Sequence, residues 1–109
     1  MNAMTVENNR LLLEIEKRRR DINREIMNPQ IPELSLEDLD PVLKLAARAR
    51  LAYVQELMDI AKMVGEDGPS IEQIEQLRNL RITYEETRSA VNALETLIQR
   101  DYLDVKSRS

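Results

Sequence analysis

The chain reads as an all-α protein, a three-helix antiparallel bundle with a long C-terminal helix, closed by homodimerisation. Three observations predict this. The 109 residues hold only two Gly and four Pro, and these breakers fall in two clusters that leave three long uninterrupted segments. Within the segments, apolar residues recur at steps of three, four and seven, the spacing of a helix with one buried face. Leu, Ile and Val supply 30 residues, against no Phe, no Trp and three Tyr, so the core is aliphatic. The length fits one domain.

The first segment opens at Thr5, a competent cap, and runs to about Met27; Asn28 and Pro29 end it, because a proline disfavours helix in the residue before it. Its apolar stripe is Leu11, Leu12, Ile15, Ile22 and Ile26, interrupted near Arg18 and Arg19. Residues 28–40 form a linker containing Pro29, Pro32, Glu33, Glu37, Asp38 and Asp40 and no basic residue. Its Ile31, Leu34, Leu36 and Leu39 are expected to pack on the bundle, and Ser35 followed by Asp38 suits the start of a single helical turn.

The second helix is expected over 41–64. Asp40 serves as its cap and Pro41 takes the first helical position, where a missing N–H costs nothing. Gly65 supplies a left-handed stop, with Gly68 and Pro69 completing the turn. The expected buried face combines Leu43, Ala46, Ala47, Tyr53, Val54, Leu57, Ile60, Ala61 and Val64, the alanines allowing close helix approach. Met58 and Met63 read first as core filler.

Ser70 caps the third helix and Gln73 completes a capping box. No breaker follows, so this helix is expected over 71–105. Leu77, Tyr84, Val91, Ile98 and Val105 repeat every seven residues, with Leu80, Thr87 and Leu94 three positions later. Such an a/d seam serves either neighbours within one bundle or a second chain. At about 1.5 Å per residue this helix is roughly 52 Å long, against about 36 Å for the second. An antiparallel arrangement then leaves the third helix overhanging beyond about Leu94. The candidate protein interface is accordingly Leu94, Leu97, Ile98, Tyr102 and Val105, to be covered by the linker leucines or by a second copy. Three helices with a core of this size are marginal alone, which favours the homodimer.

Composition also bounds function. Sixteen basic residues against twenty acidic give a net charge of −4, which weighs against a whole-surface nucleic-acid or membrane binder. No apolar run approaches the roughly 20 residues of a membrane span, and Met1 to Arg10 lacks the apolar centre of a signal peptide. With no Cys the expected location is cytoplasmic. The absence of Cys and His removes thiolate nucleophiles, imidazole bases and the usual zinc, haem and iron–sulfur ligand sets. No enzymatic activity, cofactor or metal is expected.

Lys17, Arg18, Arg19 and Arg20, with Arg24 one turn on, form the densest basic patch and the candidate site for nucleic acid or an acidic partner. Glu16 to Asn23 resembles the basic region of basic helix-loop-helix transcription factors, in which a Glu and arginines read bases from a helix in the major groove. The resemblance covers about eight residues, and its register is off by one because a further basic residue normally precedes the Ile-Asn pair. Leu11, Leu12 and Leu13 also stand where a DNA-contacting arm is polar. On their own terms, Glu14 four residues before Arg18 and Glu16 four before Arg20 are spaced for helical ion pairs on a solvated face.

Glu56 with Asp59 and Glu72 with Glu75 resemble the carboxylate pairs that hold magnesium in all-α nucleotide pyrophosphohydrolases, but in reversed order. Glu72 and Glu75 also suit a first helical turn, where acids complement the dipole. Arg48, Arg50 and Lys62 are the residues that an arginine-lined pocket of the chorismate mutase kind would use; that family's long first helix and Arg-to-Lys spacing do not lie on this chain. The expected function is a small non-enzymatic interaction module, of adaptor, inhibitor or escort type, working with itself and another protein through the heptad seam. The alternative is a DNA-binding regulator using Lys17 to Arg24.

Overall fold

The computed structural model describes residues 3–31 and 33–106; Pro32 of the linker lies outside them. They form three helices, α1 (Ala3–Met27), α2 (Leu36–Met63) and α3 (Ile71–Gln99), with one isolated bridge and no strand among the described residues. The fold is all-α, as the breaker pattern predicts, and α2 and α3 pack together. The chain divides into two compact units: Glu37–Leu94, a helical hairpin, and a terminal unit made of the chain up to Leu36 with Glu95 onward.

In the hairpin, α2 turns one heptad seam inward. Leu39, Val42, Ala46, Ala49, Tyr53, Glu56 and Ile60 are its buried or half-buried positions, and Val64 just past its end continues the row. The opposing seam on α3 is Gln73, Leu77, Leu80, Tyr84, Thr87, Val91 and Leu94, all half-buried, while their neighbours on the helix are exposed. Steps of three and four on both helices bring one face of each against the other. Stacking of Tyr53 on Tyr84, with ring centroids 5.8 Å apart, marks the middle of the seam. Up to Leu94 the heptad pattern thus faces the neighbouring helix of the same chain.

Several expectations are corrected. α2 starts at Leu36 rather than Pro41, because Ser35 with Asp38 three residues later has the spacing of a capping box and sets the helix in motion before Asp40 is reached. Pro41 therefore lies inside the helix, in its second turn, where it lacks the N–H that would reach the Glu37 carbonyl. The left-handed glycine is Gly68, with φ 77°, and not Gly65; Gly65 opens the turn by accepting the Gly68 N–H at 3.2 Å. The expected box at α3 is formed: the Ser70 N–H donates to Gln73 Oε1 at 2.8 Å, and the Gln73 N–H to Ser70 Oγ at 3.1 Å. Only part of the expected buried face of α2 turns inward. Ala46, Tyr53, Ile60 and Val64 do, whereas Leu43, Ala47, Val54, Leu57 and Ala61 are exposed, as are Met58 and Met63. The apolar arc of α2 is wide enough for two neighbours, and the hairpin provides one.

α3 ends at Gln99 rather than Val105. Asp101 adopts φ 60°, the Tyr102 N–H reaches back to the Leu97 carbonyl at 2.8 Å, and the Asp101 N–H to that of Ile98 at 3.1 Å. These are the two bonds of a Schellman stop, here with an aspartate in the left-handed position that glycine usually takes. The chain then returns alongside the linker. The Leu34 N–H donates to the Asp104 carbonyl at 3.0 Å and the Lys106 N–H to that of Leu34 at 2.7 Å, forming a parallel bridge between Leu34 and Val105. Tyr102 and Leu103 are buried at 7% and 2% exposure, with Ser35 buried in the same unit.

Candidate interaction site

With α2 begun earlier and α3 ended earlier, the two helices have 28 and 29 residues, each about 42 Å long. The overhang that singled out Leu94, Leu97, Ile98, Tyr102 and Val105 is therefore absent. Leu94, Leu97 and Ile98 are half-buried, Tyr102 is buried within the terminal unit, and Val105 is exposed but engaged through its backbone in the bridge. Tyr102 is thus a core residue of its unit rather than a free contact.

The exposed apolar surface lies elsewhere. On α1, Leu11, Leu12, Ile15, Ile22 and Ile26 are each between 40 and 63% exposed; the stripe read from the sequence is present but uncovered. On α2, Leu43, Ala47, Val54, Leu57 and Ala61 form a second stripe, one residue on from the inward seam, with the three large members 44 to 55% exposed. Scattered exposed leucines are ordinary, but stripes with core periodicity left open mark interaction surfaces. Periodicity alone could not find this surface, because a face buried against a second neighbour and a face left open share one pattern.

The basic patch is divided by the fold. Arg24 belongs to a polar cluster in the terminal unit: its Nη1 donates to the Asp101 carbonyl at 2.7 Å and to Asp101 Oδ1 at 3.2 Å, and its Nη2 to Asp104 Oδ1. Asn28 completes the cluster, Nδ2 donating to Asp104 Oδ2 at 3.0 Å and Oδ1 accepting the Asp104 N–H at 3.1 Å. The Asn28 amide and then the Arg24 guanidinium hold the Asp104 carboxyl below the usual aspartate range. Asp104 in turn raises Arg24, first through the hydrogen bond between them. Arg24 therefore pins the end of α1 to the turn after α3.

Lys17, Arg18, Arg19 and Arg20 are exposed and form no ion pair among the described residues. The expected pairs from Glu14 to Arg18 and from Glu16 to Arg20 do not close. Arg19 and Arg20 line a shallow cleft of about 230 Å³ with Glu16, Gln99, Arg100 and Tyr102.

The remaining candidates are not drawn together into a site. No group of three or more acidic residues gathers as a metal site requires among the described residues, and Glu56 lies in the hairpin seam, apart from Glu72 in the first turn of α3. Arg50 lies over the Tyr84 ring at 5.8 Å from its centroid, a cation–π contact rather than a substrate clamp. Among the described residues no helix is long and apolar enough to cross a membrane. No known protein family, curated protein or solved structure matches this chain.

Proposed function

We propose that this chain is a small, non-enzymatic, cytoplasmic interaction module that holds other proteins through its uncovered helical faces, self-association among them. The observation that carries this reading is the pair of open apolar stripes on α1 and α2. Each has the period of a buried helix face, and each would lose water-exposed apolar area on meeting a partner. The work is thereby moved from the end of α3 to α1 and to the outer side of α2.

The test is capture of partners by tagged chain from its native lysate, with and without nuclease, alongside sedimentation velocity of the purified chain. Ile15→Asp and Leu57→Asp place a charge on one stripe each, at exposed positions where the helix itself tolerates it. Loss of captured proteins or of self-association in either variant, with helicity by circular dichroism unchanged, supports the module. Capture indifferent to both substitutions refutes it. Capture that disappears with nuclease moves the function to nucleic acid and to Lys17, Arg18, Arg19 and Arg20, the basic residues that Arg24's engagement leaves on the patch.

A further inference from the structure

The charges of the hairpin are segregated around one of these faces. Between Glu37 and Leu94 the sequence carries seven basic and eleven acidic residues. On α2, the open stripe of Leu43, Ala47, Val54, Leu57 and Ala61 contains Arg50 at its middle. Asp40 stands at the head of the same row, one residue after Leu39 of the seam. Along the outer edge of this stripe runs a row at steps of three and four in which Lys44, Arg48 and Lys62 alternate with Leu51, Gln55 and Met58. In an antiparallel pair, residues one position after each seam fall on the same side. On α3 those positions are Ile74, Arg78, Arg81, Glu85, Arg88 and Asn92. Two contacts fix this side as a groove: a cleft of about 190 Å³ lined by Tyr53, Ile74, Leu77, Arg78 and Arg81, and Arg50 leaning onto Tyr84.

Four of the seven basic residues of a hairpin with a surplus of acid, Arg50, Arg78, Arg81 and Arg88, thus fall on this one side. Of its eleven acids two lie in these rows, Asp40 at the start of the α2 row and Glu85 in the α3 row, the latter 4.0 Å from Arg81 as an i,i+4 pair. Building on the module reading, we infer that this groove binds an acidic amphipathic helix of a partner protein, its apolar side on Leu43, Val54 and Leu57 and its carboxylates on Arg50 and on the α3 border of Arg78, Arg81 and Arg88. A helix laid in a groove is recognised in this way, by apolar anchors at steps of three and four and by flanking charge. A second copy of this chain is a poor occupant. The exposed apolar stripes it offers carry arginine within them, Arg18 and Arg19 on α1 and Arg50 on α2, which would set arginine against arginine.

The experiment uses the full chain and two labelled synthetic helices of equal length, both with leucines at steps of three and four, one with glutamates on both flanks and the other with lysines. Fluorescence anisotropy is expected to show binding of the glutamate peptide that weakens as salt is added, and roughly tenfold weaker binding of the lysine peptide. Reversing the α3 border with R78E, R81E and R88E together is expected to invert this preference. Leu57→Asp is expected to abolish binding of both peptides. Circular dichroism checks that each variant stays helical, and if the reversed chain unfolds, R78Q, R81Q and R88Q replace it and are expected to erase the preference. Failure to bind the glutamate peptide, equal binding of the two peptides, or a preference untouched by the border substitutions would overturn the inference. If the glutamate peptide does not bind while Ile15→Asp still abolishes self-association, the acidic partner falls and the module stands; if both signals are missing, both fall.

Discussion

In the terminal unit a short returning segment buries Tyr102 and Leu103 and is fastened on every side by polar contacts: the Leu34 to Val105 bridge, the Schellman turn, and the cluster of Arg24, Asn28, Asp101 and Asp104. In the hairpin the apolar positions are far more numerous in sequence, yet only Ala49 and Ile60 are buried, at 9% and 6% exposure, and few polar contacts tie one helix to the other. The difference is one of packing. Directional hydrogen bonds specify one geometry around a small core, whereas two helices joined along a seam enclose nothing and leave their flanks available. Closing a third side of the hairpin is what a partner would do.

Substitution at the two cores should separate them most strongly. Leu103→Ala removes the most deeply buried side chain and is expected to destabilise the chain by about 3 kcal/mol, read as a lower urea midpoint. Leu57→Ala, on the open stripe, is expected to change it by less than about 0.5 kcal/mol. Equal effects would mean that the α2 face is covered in solution. Next in size and opposite in sign is Pro41→Ala, which restores a hydrogen bond in the second turn of α2 and is expected to stabilise by roughly 1–2 kcal/mol. Ser70→Ala removes one half of the α3 capping box and is expected to cost about 1 kcal/mol, visible as a lower thermal midpoint.

The smallest effect belongs to the polar cluster of the terminal unit and appears in its pH dependence. Asp104 has its carboxyl pKa lowered from the ordinary 3.8 by Asn28 and Arg24. Its contribution is complete above that ordinary value and is lost as pH falls through the lower folded one. Acid titration of stability below about pH 4 should therefore be shallower in Asp104→Asn than in the wild type. An unchanged slope would show that the cluster is not formed in solution.

Much of the architecture was legible. The breakers divided the chain correctly, Met27 ends α1, and the Ser70 and Gln73 pair starts α3 where the capping box places it. The two misplaced ends share a cause: a stronger signal masked a weaker one. Asp40 and Pro41 outshone Ser35 and Asp38 at the start of α2. At the end of α3 the heptad register continues in sequence through Val105, while the residue that stops the helix is Asp101, whose left-handed conformation nothing in the pattern announces. Both errors acted in one direction, and together they produced an overhang. The candidate interface rested on that overhang, and helices of 28 and 29 residues remove that argument for it. The groove on α2 was hidden for a different reason. A stripe of apolar residues states that a face prefers burial, and only the fold states which neighbour is present to bury it.

The exposure of α1 has a counterpart in hydrogen exchange. From Thr5 to Ile22 every residue of this helix is exposed, while Asn23, Arg24, Met27 and Asn28 are sheltered to some degree by the terminal unit. A helix without tertiary cover is held by its own backbone ladder and local side-chain pairs, which are marginal over a few turns. Amide protons before Glu16, where α1 begins to line the cleft with Gln99, Arg100 and Tyr102, should therefore exchange by local opening and those near Arg24 far more slowly. α1 is then one helix in geometry and two in exchange rate, an anchored stub and an exposed arm.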